Sequence, residues 1–203
     1  FLNIYSGYVL ILLLLCIWEI FSRISCNAFF PSFSMTFNAL LHSITHGDFL
    51  LIVSTSIFHS FLGLFIACII MIPMGFYIGR SKFAYNLFSP LIEFLRPLPS
   101  SAIIPLAIVY LGFEYEMKLF VIVFGCSWPL LLNTINGVKS IEPMYLKTAR
   151  SLGFNQYKRL RHVIIPASLP SIFTGLKISL AISLILTITV EMIVGSKGIG
   201  YYI

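Results

Sequence analysis

Between Phe49 and Gly79 the chain carries no Asp, Glu, Lys or Arg. A run of that kind cannot cover itself with water. About 20 apolar residues of helix cross the hydrocarbon core of a bilayer. Inside that core every backbone polar group must be satisfied internally, which leaves helices and closed barrels as the spanning forms. Four more runs qualify, so candidate spans lie at about 4–21, 50–79, 87–112, 119–137 and 171–194. The second run is too long for one straight crossing, and part of it is expected as an interfacial helix start. Of the 203 residues, 59% are hydrophobic and 10% charged, against roughly 25% charged in an average soluble domain. That balance excludes a soluble globular enzyme, a disordered chain and a nucleic-acid-binding module. The net charge of +6 comes from only 13 Lys and Arg, most of them in short loops between apolar runs. The class is an all-α integral membrane protein with at least five transmembrane helices.

Basic loops stay in the cytoplasm. Arg80 and Lys82 follow the second span, and Lys139, Lys147, Arg150, Lys158, Arg159 and Arg161 follow the fourth, with Glu142 the one acid among them. The short loop after the third span carries Glu114 and Glu116. The amino-terminal end is therefore expected in the cytoplasm, with 23–48, 113–117 and 195–203 outside. The chain starts at Phe1 and stops at Ile203 just past an apolar run. It is read as truncated at both ends, with a sixth span expected beyond. No internal repeat or long linker divides it, so residues 1–203 read as a single membrane domain.

In the third span, Arg96-Pro97-Leu98-Pro99 and Pro105 should break the helix, since each proline removes a donor and disfavours helix before it. Broken backbone at membrane depth is tolerated where it is buried in protein or lines a cavity. Arg96, Pro97 and Pro99 are therefore candidate pathway-lining residues, and Glu191 near the outer end of the fifth span is a fourth. The bland alternative is a kinked helix packed on its neighbours, with Arg96 and Glu191 structurally paired or snorkelling.

The basic loop 138–170 holds the most informative pattern. Pro143 suits the first turn of a helix. Tyr145, Leu146, Ala149 and Leu152 then fall on one apolar stripe. Gly153 sits where a left-handed residue would close that helix. Asn155 can cap a second helix through Tyr157, Leu160 and Val163, with Pro166 and Pro170 expected to stop it before the next span. Two short amphipathic rods joined by a glycine turn suit docking into the groove of a soluble partner. A basic loop resting on anionic lipid headgroups has the same composition.

The loop is similar to the EAA loop of ABC importer permeases: Glu-Ala-Ala, three residues, Gly, nine residues, then Ile-x-Leu-Pro. Here Lys147-Thr148-Ala149 is followed after three residues by Gly153, and after nine more by Val163-Ile164-Ile165-Pro166. Lys147 and Thr148 replace the leading Glu and first Ala. Arg150-Ser151-Leu152-Gly153, Leu169-Pro170, Ile172-Phe173-Thr174-Gly175-Leu176, Val190-Glu191-Met192 and Gly198-Ile199-Gly200-Tyr201 resemble the nitrate, sulfonate and taurine branch. So do Trp18-Glu19, Pro31-Ser32 and Arg96-Pro97-Leu98-Pro99.

The resemblance implies a type I ABC importer permease of a bacterial or archaeal plasma membrane, in which two permease chains, expected as a homodimer, enclose the pathway. Two cytoplasmic ATPase subunits would grip the loops, with Lys147, Thr148, Ala149, Arg150, Leu152, Gly153 and Pro166 as the ATPase-coupling residues. An extracytoplasmic binding protein would deliver the solute, a small anion such as nitrate, taurine or an alkanesulfonate. No cofactor is expected in this chain; ATP and magnesium would be bound by the partner. No G-x-x-x-x-G-K-[ST] phosphate loop is present, nor a nucleophile constellation or paired carboxylates, so no enzymatic activity is expected. A permease for a thiamine precursor or a riboflavin-like solute is the neighbouring reading. An ion-coupled secondary transporter would call for inverted repeats and mid-membrane acids.

The remaining singular residues have structural readings. Lys177 is placed to snorkel. His42 and His46 stand four apart beside Asp48 on an outer surface helix, without a third metal ligand. His59 is read as a helix–helix hydrogen-bond partner. The four cysteines carry no CxxC pairing and read as small hydrophobes.

Overall fold

The computed structural model describes residues 2–25, 30–195 and 198–202, with the side chains of 2–6 and of His46 outside that description. The chain divides into two compact units, Phe1–Ile52 and Val53–Ile203. All regular structure among the described residues is helical.

The first unit holds α1 (Leu2–Ser25) and α2 (Phe33–His46). Glu19 draws the two together. Its carboxylate accepts from the Ser34 amide at 3.0 Å, the Ser34 hydroxyl at 2.8 Å and Arg23 at 2.7 Å. Trp18 donates to the Pro31 carbonyl at 3.2 Å, and Ser22 to that of Phe30 at 2.6 Å. Ser32 caps α2. The Trp18-Glu19 and Pro31-Ser32 pairs thus meet at one hairpin. Cys26 lies outside the described residues, and Cys16, Cys68 and Cys126 are free thiols.

In the second unit, the long helix α3 (Phe49–Arg80) begins one turn before the unit boundary. It runs unbroken over 32 residues. Next come α4 (Lys82–Leu95), a 3-10 turn (Ser100–Ile103) and α5 (Ile104–Leu111). Then follow α6 (Tyr115–Lys139), α7 (Pro143–Ser151), α8 (Gln156–Arg159), a π turn (Leu160–Ile164), α9 (Ile165–Val194) and α10 (Ile199–Tyr202). Among the described residues, four stretches are long and apolar enough to cross a membrane: 7–25, α3, α6 and 156–194.

The helices on either side of the prolines at 97 and 99 meet at 83°. Ala84 and Ile92 of α4 pack with Ile78, Leu131 and Ile135. Ile104 and Ala107 of α5 pack with Met117, Val121 and Val190, at the opposite end of α6. The bent pair therefore passes from one end of the bundle to the other as a fifth, broken span. Pro105 does not add to the break. It sits in the first turn of α5, where a missing N–H costs no hydrogen bond.

α6 is the central helix and packs chiefly along α9. Hydroxyls stitch the bundle: Ser179 donates to the Cys126 carbonyl at 3.0 Å, and Ser60 pairs with Ser183 at 2.8 Å. Interhelical bonds of this kind contribute about 0.6 kcal/mol on average in a membrane.

The prolines at 166 and 170 do not end a helix, contrary to expectation. Helix runs from Gln156 to Val194, 39 residues, roughly 58 Å at 1.5 Å per residue. The reason is the π turn. Pro166 has no N–H, and its ring crowds the carbonyl four residues back. Widening the preceding turn, with the Ile165 amide reaching Leu160, absorbs that crowding without a stop.

At the far end of α6 and α9 the interior turns ionic. Glu191 is fully buried. It accepts from Lys118 at 3.2 Å, from the Ser56 hydroxyl at 2.8 Å and from the Gly200 amide at 3.2 Å. Ser56 in turn accepts from the Ile199 amide at 2.9 Å. His59 on α3 reaches Lys118 on α6 at 3.4 Å, a helix–helix contact. A Cβ at position 200 would collide with the Ile188 carbonyl, so only glycine lets α10 lie this close. Removing one partner of a buried pair strands a charge and costs about 3–5 kcal/mol. Lys118→Met should therefore lower the melting temperature of the detergent-solubilised protein sharply, and adding Glu191→Leu should recover most of the loss. Losses that simply add would refute the pairing.

Candidate functional site

The loop 138–170 is built as two rods with a defined joint. Pro143 opens α7 at its first turn. At the other end the Gly153 amide donates to the Arg150 carbonyl and the Phe154 amide to that of Ala149, each at 3.0 Å. This pair of bonds is a Schellman closure, and it needs a left-handed residue. Gly153 supplies it with φ of 74°. Asn155 then caps the second rod by accepting from the Lys158 amide at 2.8 Å.

An apolar seam holds α7 against the bundle. Val138, Ile141 and Ile164 form it, with Leu146, Leu160 and Phe76 packed on its edge. Ala149 is buried. The stripe expected from spacing is split, however. Leu146 and Ala149 face in, while Tyr145 and Leu152 face out at 59% and 68% exposure. Nine residues of helix cannot bury a wide face against one seam. Met144 and Tyr157 are also exposed, at 64% and 66%. Together with the exposed Lys147, Thr148 and Arg150, these side chains make an outward surface of apolar and cationic groups. Pro166 stands apart from it, just after the π turn.

A second feature lies beside the broken span. A cavity of about 610 Å³ is lined by Arg96, Ser89, Glu93, Ser100, Trp128 and Asn133, among others. Its volume falls in the range of small-molecule sites. Trp128 lines it too, its indole N–H buried and without a hydrogen-bond acceptor among the described residues. Glu93 faces the same space, holding the Ser89 hydroxyl at 3.1 Å. The cavity thus offers a guanidinium, hydroxyls and amides, with one carboxylate to one side.

Of the four candidate pathway residues, only Arg96 lines this cavity. Pro97 and Pro99 set the bend that brings Arg96 and Ser100 to it. Glu191 is not part of its wall, being enclosed with Lys118 and Ser56. Lys118 was not singled out by sequence reading, because at a span's edge it looks like one more loop cation. Trp128 was passed over too, since an indole in an apolar run is ordinarily core. Among the described residues no three His, Cys, Asp or Glu side chains are grouped to hold a metal ion. His42 sits exposed on α2, and the side chain of His46 lies outside the described residues.

Comparison with known proteins places this arrangement. Residues 71–203 match the family described as binding-protein-dependent transport system inner membrane component. The chain is 33% identical over 137 residues to the nitrate import permease protein of Synechocystis sp., covering 68% of this chain and 50% of that one. It is 37% identical over 142 residues to the bicarbonate transport system permease protein of Synechococcus elongatus, covering 70% and 51%. Against the taurine transport system permease protein of Escherichia coli it is 31% identical over 151 residues, covering 74% and 55%. It spans about half the length of these relatives. With its broken span, its two-rod loop and this extent of match, the chain is a multi-pass membrane protein that belongs to the binding-protein-dependent transport system inner membrane components, the ABC importer permeases, in the branch that holds the nitrate, sulfonate and taurine permeases.

Proposed function

We propose that this chain is the pathway-forming subunit of an ATP-driven importer for a small anion, and that the loop 138–170 takes its drive from cytoplasmic ATPase subunits. One observation carries the reading. The second rod continues without a joint into the last span, from Gln156 to Val194. A displacement imposed on the loop is therefore transmitted to the helix that packs along α6. ATP would close the partner dimer and move its grooves, and the rods would follow. Such a switch needs two states that differ in their contacts with the nucleotide-bound partner. Met144, Tyr145, Leu152 and Tyr157, exposed beside Lys147 and Arg150, suit helix-in-groove docking.

The anion preference is supported by the names of the relatives, which transport nitrate, bicarbonate and taurine, and by the cavity at Arg96. Its guanidinium can fork onto a planar oxyanion. The reading includes a second permease chain and an extracytoplasmic binding protein, in keeping with the family, and a cytoplasmic amino-terminal end, in keeping with the basic loops. ATP and magnesium belong to the ATPase subunits, and this chain contributes no catalytic group.

Two variants test the reading in cells or proteoliposomes. Gly153→Val puts a β-branched residue into the left-handed region, at about 1–2 kcal/mol. No atom lies within 4 Å of the added Cβ, so the cost is conformational and confined to the joint. Anion uptake and co-purification of the ATPase should fall at least about fivefold, since 1 kcal/mol is a factor of roughly five, while membrane abundance stays unchanged. Gly153→Asn should retain most activity, because Asn tolerates this conformation. Uptake by Gly153→Val at the unaltered rate would refute the coupling role. Arg96→Gln should raise the solute concentration for half-maximal uptake about tenfold, the equivalent of roughly 1.4 kcal/mol, with ATPase co-purification intact. An unchanged uptake curve would remove Arg96 from the pathway.

A further inference from the structure

Beneath the first rod lies a second cleft, of about 700 Å³, which shares Arg150 with the outward docking surface and Tyr85 with the cavity at Arg96. Five cations from five helices line it: Arg80 at the end of α3, Lys82 at the start of α4, Lys139 at the end of α6, Arg150 on α7 and Arg159 on α8. Among the described residues no carboxylate lines it. None of the five forms an ion pair among the described residues. Lys139 lies over the Tyr85 ring, 2.7 Å from its centroid. The Arg159 Nε is buried with no acceptor. The apolar side of the cleft is made by Val138, Ile141, Leu146 and Ile164.

Five like charges gathered around one hollow repel one another, and a buried guanidinium N–H without an acceptor is costly. An oxyanion with several acceptor oxygens relieves that repulsion through the cationic groups that face the cleft. Guanidinium forks match phosphate geometry. An apolar wall at the membrane boundary suits the glycerol and first acyl carbons of a lipid. We propose that this cleft is a binding site for a phosphate-bearing anion, supplied either as the headgroup of an acidic phospholipid or as a soluble phosphate. The occupant ties α7 and α8 to the ends of α3, α4 and α6, and so sets how firmly the two-rod loop is seated. The proposal goes beyond the import reading and is independent of it, because it concerns binding to the permease alone.

The test uses the full-length protein, delipidated in detergent, and native mass spectrometry. The probes are dioleoyl phosphatidylglycerol, dioleoyl phosphatidylcholine and inorganic phosphate. Phosphatidylglycerol or phosphate should be retained at least tenfold more tightly than phosphatidylcholine. Arg159→Gln, and separately the pair Lys82→Gln with Arg150→Gln, should each weaken that binding at least tenfold. Arg161→Gln removes one charge from the same loop outside the cleft and should leave binding unaltered. Two cleft variants keep the test decisive if one of them misfolds. Retention of phosphatidylglycerol but not phosphate assigns the site to a lipid headgroup, and the converse to a soluble ion. Equal binding of both lipids with no phosphate retained overturns the proposal, as does an Arg161→Gln loss equal to that of the cleft variants. Protection of Lys82 from acetylation by the ATPase subunit alone, with neither anion bound, also overturns it, because the occupant would then be a protein side chain.

Discussion

Within hydrocarbon, two apolar helices gain nothing merely by hiding from water, because lipid tails are as apolar as leucine. Close approach and internal hydrogen bonds must do the work instead. Along α6 and α9 the side chains fit that requirement. Ser179 bonds a carbonyl of the facing helix, and Ser60 bridges to Ser183. On this packed pair the other features of the second unit are hung. The ionic node of Lys118 and Glu191 closes one end, and the seam of Val138, Ile141 and Ile164 closes the other. The loop that is to be moved and the span that is to move are thereby parts of one stiff element.

Prolines carry two opposite roles in this chain. At 97 and 99 they produce an 83° bend and open a cavity beside it. At 166 and 170 they leave the helix continuous. The difference lies in what surrounds the orphaned carbonyls. Between Leu95 and Ser100 two prolines in three residues leave no room to re-form the ladder, and a 3-10 turn restarts it. Before Pro166 a single wide turn is enough. A rigid lever and a pathway wall thus come from the same residue type in two settings.

Charges are placed with equal economy. Glu19 and Glu191 each gather several donors at a helix end, one in each unit. Among the described residues the cations of the basic loop form no ion pair with a carboxylate. They divide between the outward surface of α7 and the cleft behind it, and their ordinary role as topology signals coexists with a local need for anions.

Much of this was legible in the chain. Long apolar runs declare spans because no other structure can pass through lipid, and the Pro, Gly and Asn of residues 143–155 declare their rods because caps and left-handed turns are local in sequence. The spacing through Lys147, Gly153 and Pro166 was enough to name the family. Three things lay beyond it. Tyr145 and Leu152 turn outward because a nine-residue rod meets a single seam. Glu191 is a buried partner of Lys118, 73 residues away in the chain. The five-cation cleft assembles from five separate helices. Periodicity and capping are properties of neighbours along the backbone, so the sequence alone determined the spans and the joint. Which face is buried, which charge meets which, and where a hollow is left depend on helices brought together in space, and only the tertiary structure decided them.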